Sequence, residues 1–166
     1  MPARIKRLAV DTNVLIDLAE ETDAAHTFRE EFQRRGVRLC VPPTVLHELN
    51  YLAESGMVSA AKAIEGMAEW ALVPLQASMG ELVRATALSR LLVRRGWLPA
   101  EELNDGRILG QTSLAGIPVL ASADREHILS IDAVGLRQAF LDLGMMSVLP
   151  RHPRDLMRTL GIRPGG

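Results

Sequence analysis

Four acidic residues in this 166-residue chain sit where a solvated carboxylate is not expected. Asp11 ends the apolar run Leu8-Ala9-Val10 and opens Asp11-Thr12-Asn13, after which apolar residues resume. Asp124 follows the apolar run 117–121 in the same way, within Ser122-Ala123-Asp124-Arg125. Asp105, Ile108, Leu109, Thr112 and Gly116 fall at i, i+3, i+4, i+7 and i+11, so an acid stands where an apolar residue would continue a buried helical stripe. Glu48 borders the stripe Val45, Leu46, Leu49, Leu52 and Ala53, while His47, Asn50 and Glu54 point away from it. Each acid alone has an ordinary explanation: Asp11, Thr12 and Asp124 can cap helices, and Asp105 can answer a helix dipole. Drawn together, two carboxylates repel by about 4 kcal/mol at ~4 Å and an effective dielectric of roughly 20. A divalent cation removes that repulsion, and an all-oxygen ligand set suits Mg2+ or Mn2+, which also coordinate phosphate oxygens. Such a centre can direct water at phosphorus in line, with the cation acidifying the water and bearing charge on the leaving oxygen. No histidine is required as a base.

The four positions can meet only if their carriers share one edge. Strands are expected at 8–10, 37–41, 71–75, 117–122 and 145–149, with Pro74 placing the third at a sheet edge by removing a ladder donor. Helices are expected over 14–20, 24–35, 45–55 with Thr44 as its cap, 58–70, 78–95, one opened by Asp105, 131–143 and 153–160, before a frayed tail at 161–166. This alternation reads as α/β with a mainly parallel sheet. The carboxyl edge of an open parallel sheet is where ligands bind, and it is where Asp11 and Asp124 would emerge. The endings Arg34-Arg35-Gly36 and Arg94-Arg95-Gly96 read as dipole-complementing helix stops in preference to phosphate clamps.

Composition narrows the alternatives. With 19 basic and 20 acidic residues the net charge is −1, so any polyanion must be met by a local patch. Cys40 is the only cysteine, which leaves no disulfide or thiolate cluster within one chain and suggests a buried strand residue. No apolar run reaches bilayer length and no signal-peptide core follows Lys6, so the expectation is one domain over 1–166, in the cytoplasm, with no membrane partner. His47-Glu48 resembles the start of a zinc-protease helix, but position 51 is Tyr instead of His. A receiver domain needs a lysine near its last strands and none follows Lys62; the run Asp11-Thr12-Asn13-Val14-Leu15 lacks the second Asp and the Thr of the haloacid-dehalogenase-type phosphatases that it otherwise resembles. Walker A and dinucleotide glycine patterns are absent.

The ordered set, Asp11-Thr12-Asn13 after a strand, Glu48 early in a helix, Asp105 opening Asp-x-x-Ile-Leu-x-x-Thr, and Ser122-Ala123-Asp124-Arg125 after a strand, resembles the PIN-domain nucleases from residue 8 to residue 128. The resemblance implies a three-layer α/β/α sandwich around a mainly parallel sheet of about five strands. It implies that Asp11, Glu48, Asp105 and Asp124 bind one or two Mg2+ or Mn2+ ions, with Thr12, Asn13 and Ser122 supporting them. It further implies an RNA substrate, a homodimer and, for VapC-type toxins, an antitoxin partner. Arg107 and Arg125 are candidate contacts to backbone phosphates. The helices at 78–95 and 131–143 exceed a compact VapC-type toxin, which keeps open a PIN nuclease of RNA processing or DNA metabolism without an antitoxin. A non-catalytic PIN-like module binding RNA or protein is disfavoured because all four acids are present.

Overall fold

Leu8, Ala9 and Val10 are buried on both sides, as a central parallel strand requires, and they form most of β1 (Arg7–Val10) in a computed structural model that describes residues 4–163. β1 pairs with β2 (Arg38–Val41) on one side and β4 (Val119–Ala121) on the other. The edges are β3 (Val73–Pro74), against β2, and β5 (Leu149–Arg151), against β4. All pairings are parallel and the order is β3-β2-β1-β4-β5. The chain therefore winds outward from β1 to β3, crosses back to the far side of β1, and winds outward again. The reversal lies between β1 and β4, and the crevice beyond their carboxyl ends is where open α/β sheets take ligands.

Eight α-helices flank the sheet among the described residues: α1 (Thr12–Ala19), α2 (Asp23–Arg34), α3 (Pro43–Glu54), α4 (Val58–Gly66), α5 (Met79–Arg94), α6 (Leu103–Leu114), α7 (Ala133–Asp142) and α8 (Pro153–Thr159). α1 packs against α2, α3 and α4, α2 against α8, and α5 against α6 and α7. The expected three-layer α/β/α sandwich is what forms. Gly36 and Gly96, at φ +80° and +76°, end α2 and α5 as their sequences foretold. Arg34 and Arg35 pair with Glu31, and Arg95 pairs with Asp142. Cys40 is a buried residue of β2.

Several boundaries depart from expectation. Thr44 does not cap α3: the helix begins at Pro43, whose absent N–H suits a first turn. Pro42 offers no side-chain acceptor, so the Thr44 N–H is met from across the core, by Gln111 Oε1 at 2.9 Å, while Gln111 Nε2 donates to Thr44 Oγ1 at 2.7 Å. This buried pair ties α6 to the start of α3. The helix expected over 58–70 stops at Gly66, where the Trp70 ring closes over the chain, and residues 67–71 turn toward β3. The last strand lies at Leu149–Arg151 and not at 145–149: Met145 and Val148 are drawn into the core, and the ladder starts where Leu149 N–H reaches Pro118 O. Of the expected frayed tail, residues 164–166 lie outside the described residues.

The approach of α5 to α6 is unusually close and depends on two glycines. A Cβ at Gly106 would lie 2.6 Å from Ser89 Cα, and one at Gly110 2.6 Å from Ala85 Cα. Both obstacles are backbone, so a methyl group must push the helices apart. Gly110→Ala is expected to destabilise the protein by about 1–2 kcal/mol despite the better helix propensity of alanine. A lower urea midpoint with unchanged slope checks this, and an unchanged or higher midpoint contradicts it.

Candidate metal centre

Asp11 leaves β1 with its N–H on Ala121 O at 2.9 Å, and extended backbone (φ −82°, ψ 164°) places its side chain over the first turn of α1. Its Oδ1 accepts from Thr12 N–H at 2.8 Å, so the capping reading holds. Its Oδ2 faces the other way, accepting from Ser122 Oγ at 2.7 Å, with Asn13 Nδ2 at a long 3.5 Å. Cap and site are the same carboxylate, 3% exposed. Ser122, fully buried at the end of β4, also accepts from Asp124 N–H at 3.1 Å. Asn13 Oδ1 accepts from Ala123 N–H at 2.9 Å, which pins the start of α1 to the exit of β4. Thr12 supports Asp11 through its backbone; its buried hydroxyl lies beside the Glu48 carboxylate without a hydrogen bond of good geometry.

The other carriers end at the same mouth. Glu48 rises from the second turn of α3, and its Oε1 is buried without a partner. Asp105 lies in the first turn of α6, a turn held down by the Ser89 hydroxyl donating to Leu103 O. It is 8% exposed, and its Oδ2 is also buried without a partner. Asp124 folds its own loop: Oδ1 accepts from the N–H groups of Glu126 and His127, both at 3.1 Å, and Oδ2 lies 3.3 Å from His127 Nδ1.

These acids feel one another. Burial raises the Asp11 pKa, and the hydrogen bonds from Ser122 and Thr12 only partly offset it. Burial, then the neighbouring Asp11 carboxylate, lifts Glu48 to about 7. Asp105 is lifted to about 8 by burial, then by Asp11, Glu102, Asp124 and Glu48. Burying an unpaired carboxylate is expensive, and an orphaned buried oxygen adds to the penalty. The donors are hard oxygens, two of them unpartnered, so they fit a hard divalent cation.

Two residues at the mouth were missed in the sequence. Glu102 precedes α6 by one residue, and His127 follows Asp124 by three. With Asp105 they form the one trio among the described residues whose ligand atoms all lie within 4.8 Å of one another. Glu102 was discoverable, since it stands three residues before Asp105 and so on the same side of a helical turn. The two candidate arginines differ. Arg107 donates from Nε to Thr86 Oγ1 at 3.2 Å and from Nη1 to Asn104 Oδ1 at 2.9 Å. Arg125 is exposed and lines a groove of about 330 Å³ with Asp17, His152 and Arg154.

Comparison with known proteins bears on the family and the fold. The family model of the PIN domain matches residues 8–133. No curated protein matches the sequence. Among solved structures, a chain of VapBC2 from Rickettsia felis, bound to a DNA fragment from the promoter, superposes with TM-score 0.58 at 14% identity, covering 87% of this chain and 98% of that one. A chain of DNA-bound VapBC from Salmonella typhimurium superposes with TM-score 0.56 at 18% identity, covering 89% of this chain and 98% of that one. At these identities the likeness is one of fold.

The raised carboxyls make the metal-free protein pH-sensitive. Between about pH 4 and 8 the unfolded chain releases protons that Glu48 and Asp105 retain when folded, so stability falls as pH rises through that window. In EDTA, the melting temperature should be lower at pH 8 than at pH 5.5, and millimolar Mn2+ should raise it more at pH 8. A melting temperature independent of both pH and Mn2+ contradicts the assignment.

Proposed function

The chain belongs to the PIN-domain family, and on that footing we propose that it is an endoribonuclease that hydrolyses RNA phosphodiester bonds with one or two Mg2+ or Mn2+ ions. The observation that carries the reading is the pair of buried, unpartnered carboxylate oxygens on Glu48 and Asp105 facing the same mouth as Asp11 and Asp124. Asp11, Glu48, Asp105 and Asp124 would hold the cation. When bound, it supplies positive charge against the phosphoryl group and lowers the pKa of water. Ser122 and Asn13 fix the rotamer of Asp11 and the exit of β4, so the carboxylates need not reorganise as charge builds at phosphorus. Thr12 anchors Asp11 from the other side.

Arg125, exposed in the groove with His152 and Arg154, is the residue proposed to meet backbone phosphates on either side of the scissile bond. Arg107, whose Nε and Nη1 already donate to protein acceptors, is proposed to brace α5 against the first turn of α6. The fold shared with chains of two VapBC complexes supports a toxin held in check by a cognate antitoxin, and a homodimer is proposed with it.

Purified protein should cleave single-stranded RNA with Mn2+ or Mg2+ and lose activity in EDTA. Asp11→Asn should lower the rate at least about 100-fold while keeping the fold, because even outer partners of metal ligands contribute 10–100-fold. Unchanged cleavage in EDTA, or an Asp11→Asn protein as active as the parent, sinks the reading. The toxin role is tested apart from this. Expression should arrest growth, with relief by a small neighbouring reading frame, and growth unaffected by active enzyme argues for RNA processing instead.

A further inference from the structure

The sheet is acidic beyond the carboxyl ends of its strands and basic at the edge where they begin. Arg7 is the first residue of β1 and Arg38 the first of β2, and the two are partners in the parallel register. Adjacent strands lie about 4.8 Å apart, so two cationic residues stand side by side, where like charges repel. Arg4 and Lys6 precede β1, and with Ile5, Arg7, Gly36 and Arg38 they line an open groove of about 510 Å³. Arg4, Lys6, Arg7 and Arg38 are all exposed. No carboxylate lines the groove, and none pairs with these four among the described residues. Part of the charge has a structural use. Arg7 Nη2 donates to Ala115 O at 2.7 Å, at the C-terminus of α6, and Arg4 Nη2 donates to Arg35 O, at the C-terminus of α2. Each helix end carries about half a negative charge, so the two ends offset roughly one cation of the four. The remainder is a local excess of positive charge in a chain whose net charge is −1.

We propose that this basic edge is a second contact surface for RNA, holding the phosphodiester backbone by charge, without reading bases, at the end of the sheet opposite the acidic mouth. Guanidinium forks match phosphate oxygens, and backbone contacts of this kind position a nucleic acid without specifying its sequence. The groove has no aromatic side chain on which a base could stack. Ile5 packs against the core, so the groove also lacks the exposed apolar anchor around which a protein interface is built. Four residues separate Arg7 from Asp11, a rise of about 13 Å along β1, and the path over a flanking helix is longer. Only an RNA that runs several nucleotides beyond the scissile bond spans both places. The inference rests on the reading of the chain as a ribonuclease and adds to it a preference for long substrates.

The test compares the full chain with the double variant Lys6→Gln, Arg38→Gln, which leaves the two helix-end arginines in place. The probe is a fluorescent single-stranded RNA of about 20 nucleotides, longer than one compact binding groove covers. In EDTA, where nothing is cut, anisotropy should show the double variant binding roughly 10-fold or more weakly at 0.1 M salt. Its slope of log affinity against log salt should be shallower by about 1.4, the share of two phosphate contacts on a single strand. Oligo(U) and oligo(A) should behave alike. With Mn2+, the double variant should show a raised KM and an unchanged kcat on the long RNA, and unchanged cleavage of a trinucleotide. Equal affinity and equal salt slope in parent and variant refute the basic edge while leaving the nuclease reading intact. RNA held at this edge by a protein that cleaves nothing refutes the nuclease reading and leaves the edge. Polyglutamate bound as tightly as RNA of equal charge, and lost in the double variant, overturns the proposal by assigning the edge to an acidic protein. If the double variant folds poorly, Lys6→Gln alone carries the same test with about half the change in slope.

Discussion

Negative charge confined between the ends of β1 and β4 is the constraint the rest of the molecule accommodates. Asp11, Glu48 and Asp105 are each pushed toward the neutral form by burial and by neighbouring carboxylates, Asp124 in the case of Asp11. A flexible surface would let such groups turn out to water. Here Asp11 and Asp105 are each held by an element with its own anchorage. Asp11 is fixed by two short hydrogen bonds on opposite oxygens, and Asp105 lies in a helical turn fastened by a buried serine. The repulsion is therefore kept in the fold, where a divalent cation can relieve it.

That anchorage reaches well beyond the acids. α6 must come close enough to α5 for Gly106 and Gly110 to meet backbone, which sets the depth of Asp105. The Gln111–Thr44 pair then couples α6 to α3, so the carriers of Asp105 and Glu48 are joined by two buried hydrogen bonds 67 residues apart in sequence. On the other side, Asn13 and Ser122 lock α1 to the exit of β4. A site assembled from four segments is thus supported by side chains beyond the four acids, as preorganised centres require.

Much of this was legible in the sequence because it is written in local periodicity. An apolar run ending in Asp betrayed Asp11 and Asp124, and an acid on a 3.6-residue apolar stripe betrayed Asp105. The parallel α/β order and the edge position of Pro74 follow from the same patterns. The remainder depends on contacts that no local pattern encodes. Thr44 beside Pro42-Pro43 has the form of a cap, and only the arrival of Gln111 gives it another partner. His127 looks like a loop residue until pairing of β1 with β4 brings its loop beside α6. The shift of β5 to Leu149–Arg151 has a similar cause: Met145 and Val148 have strand character, yet packing draws them off the ladder.

The central proposal is that the acids gathered at this mouth bind divalent cations. Crystals grown or soaked in Mn2+ and measured at its absorption edge test that claim most directly. Anomalous density bounded by Asp11, Glu48, Asp105 and Asp124 is the predicted result. Density confined to other parts of the surface, with these side chains unchanged and none of them contacting an ion, would contradict it.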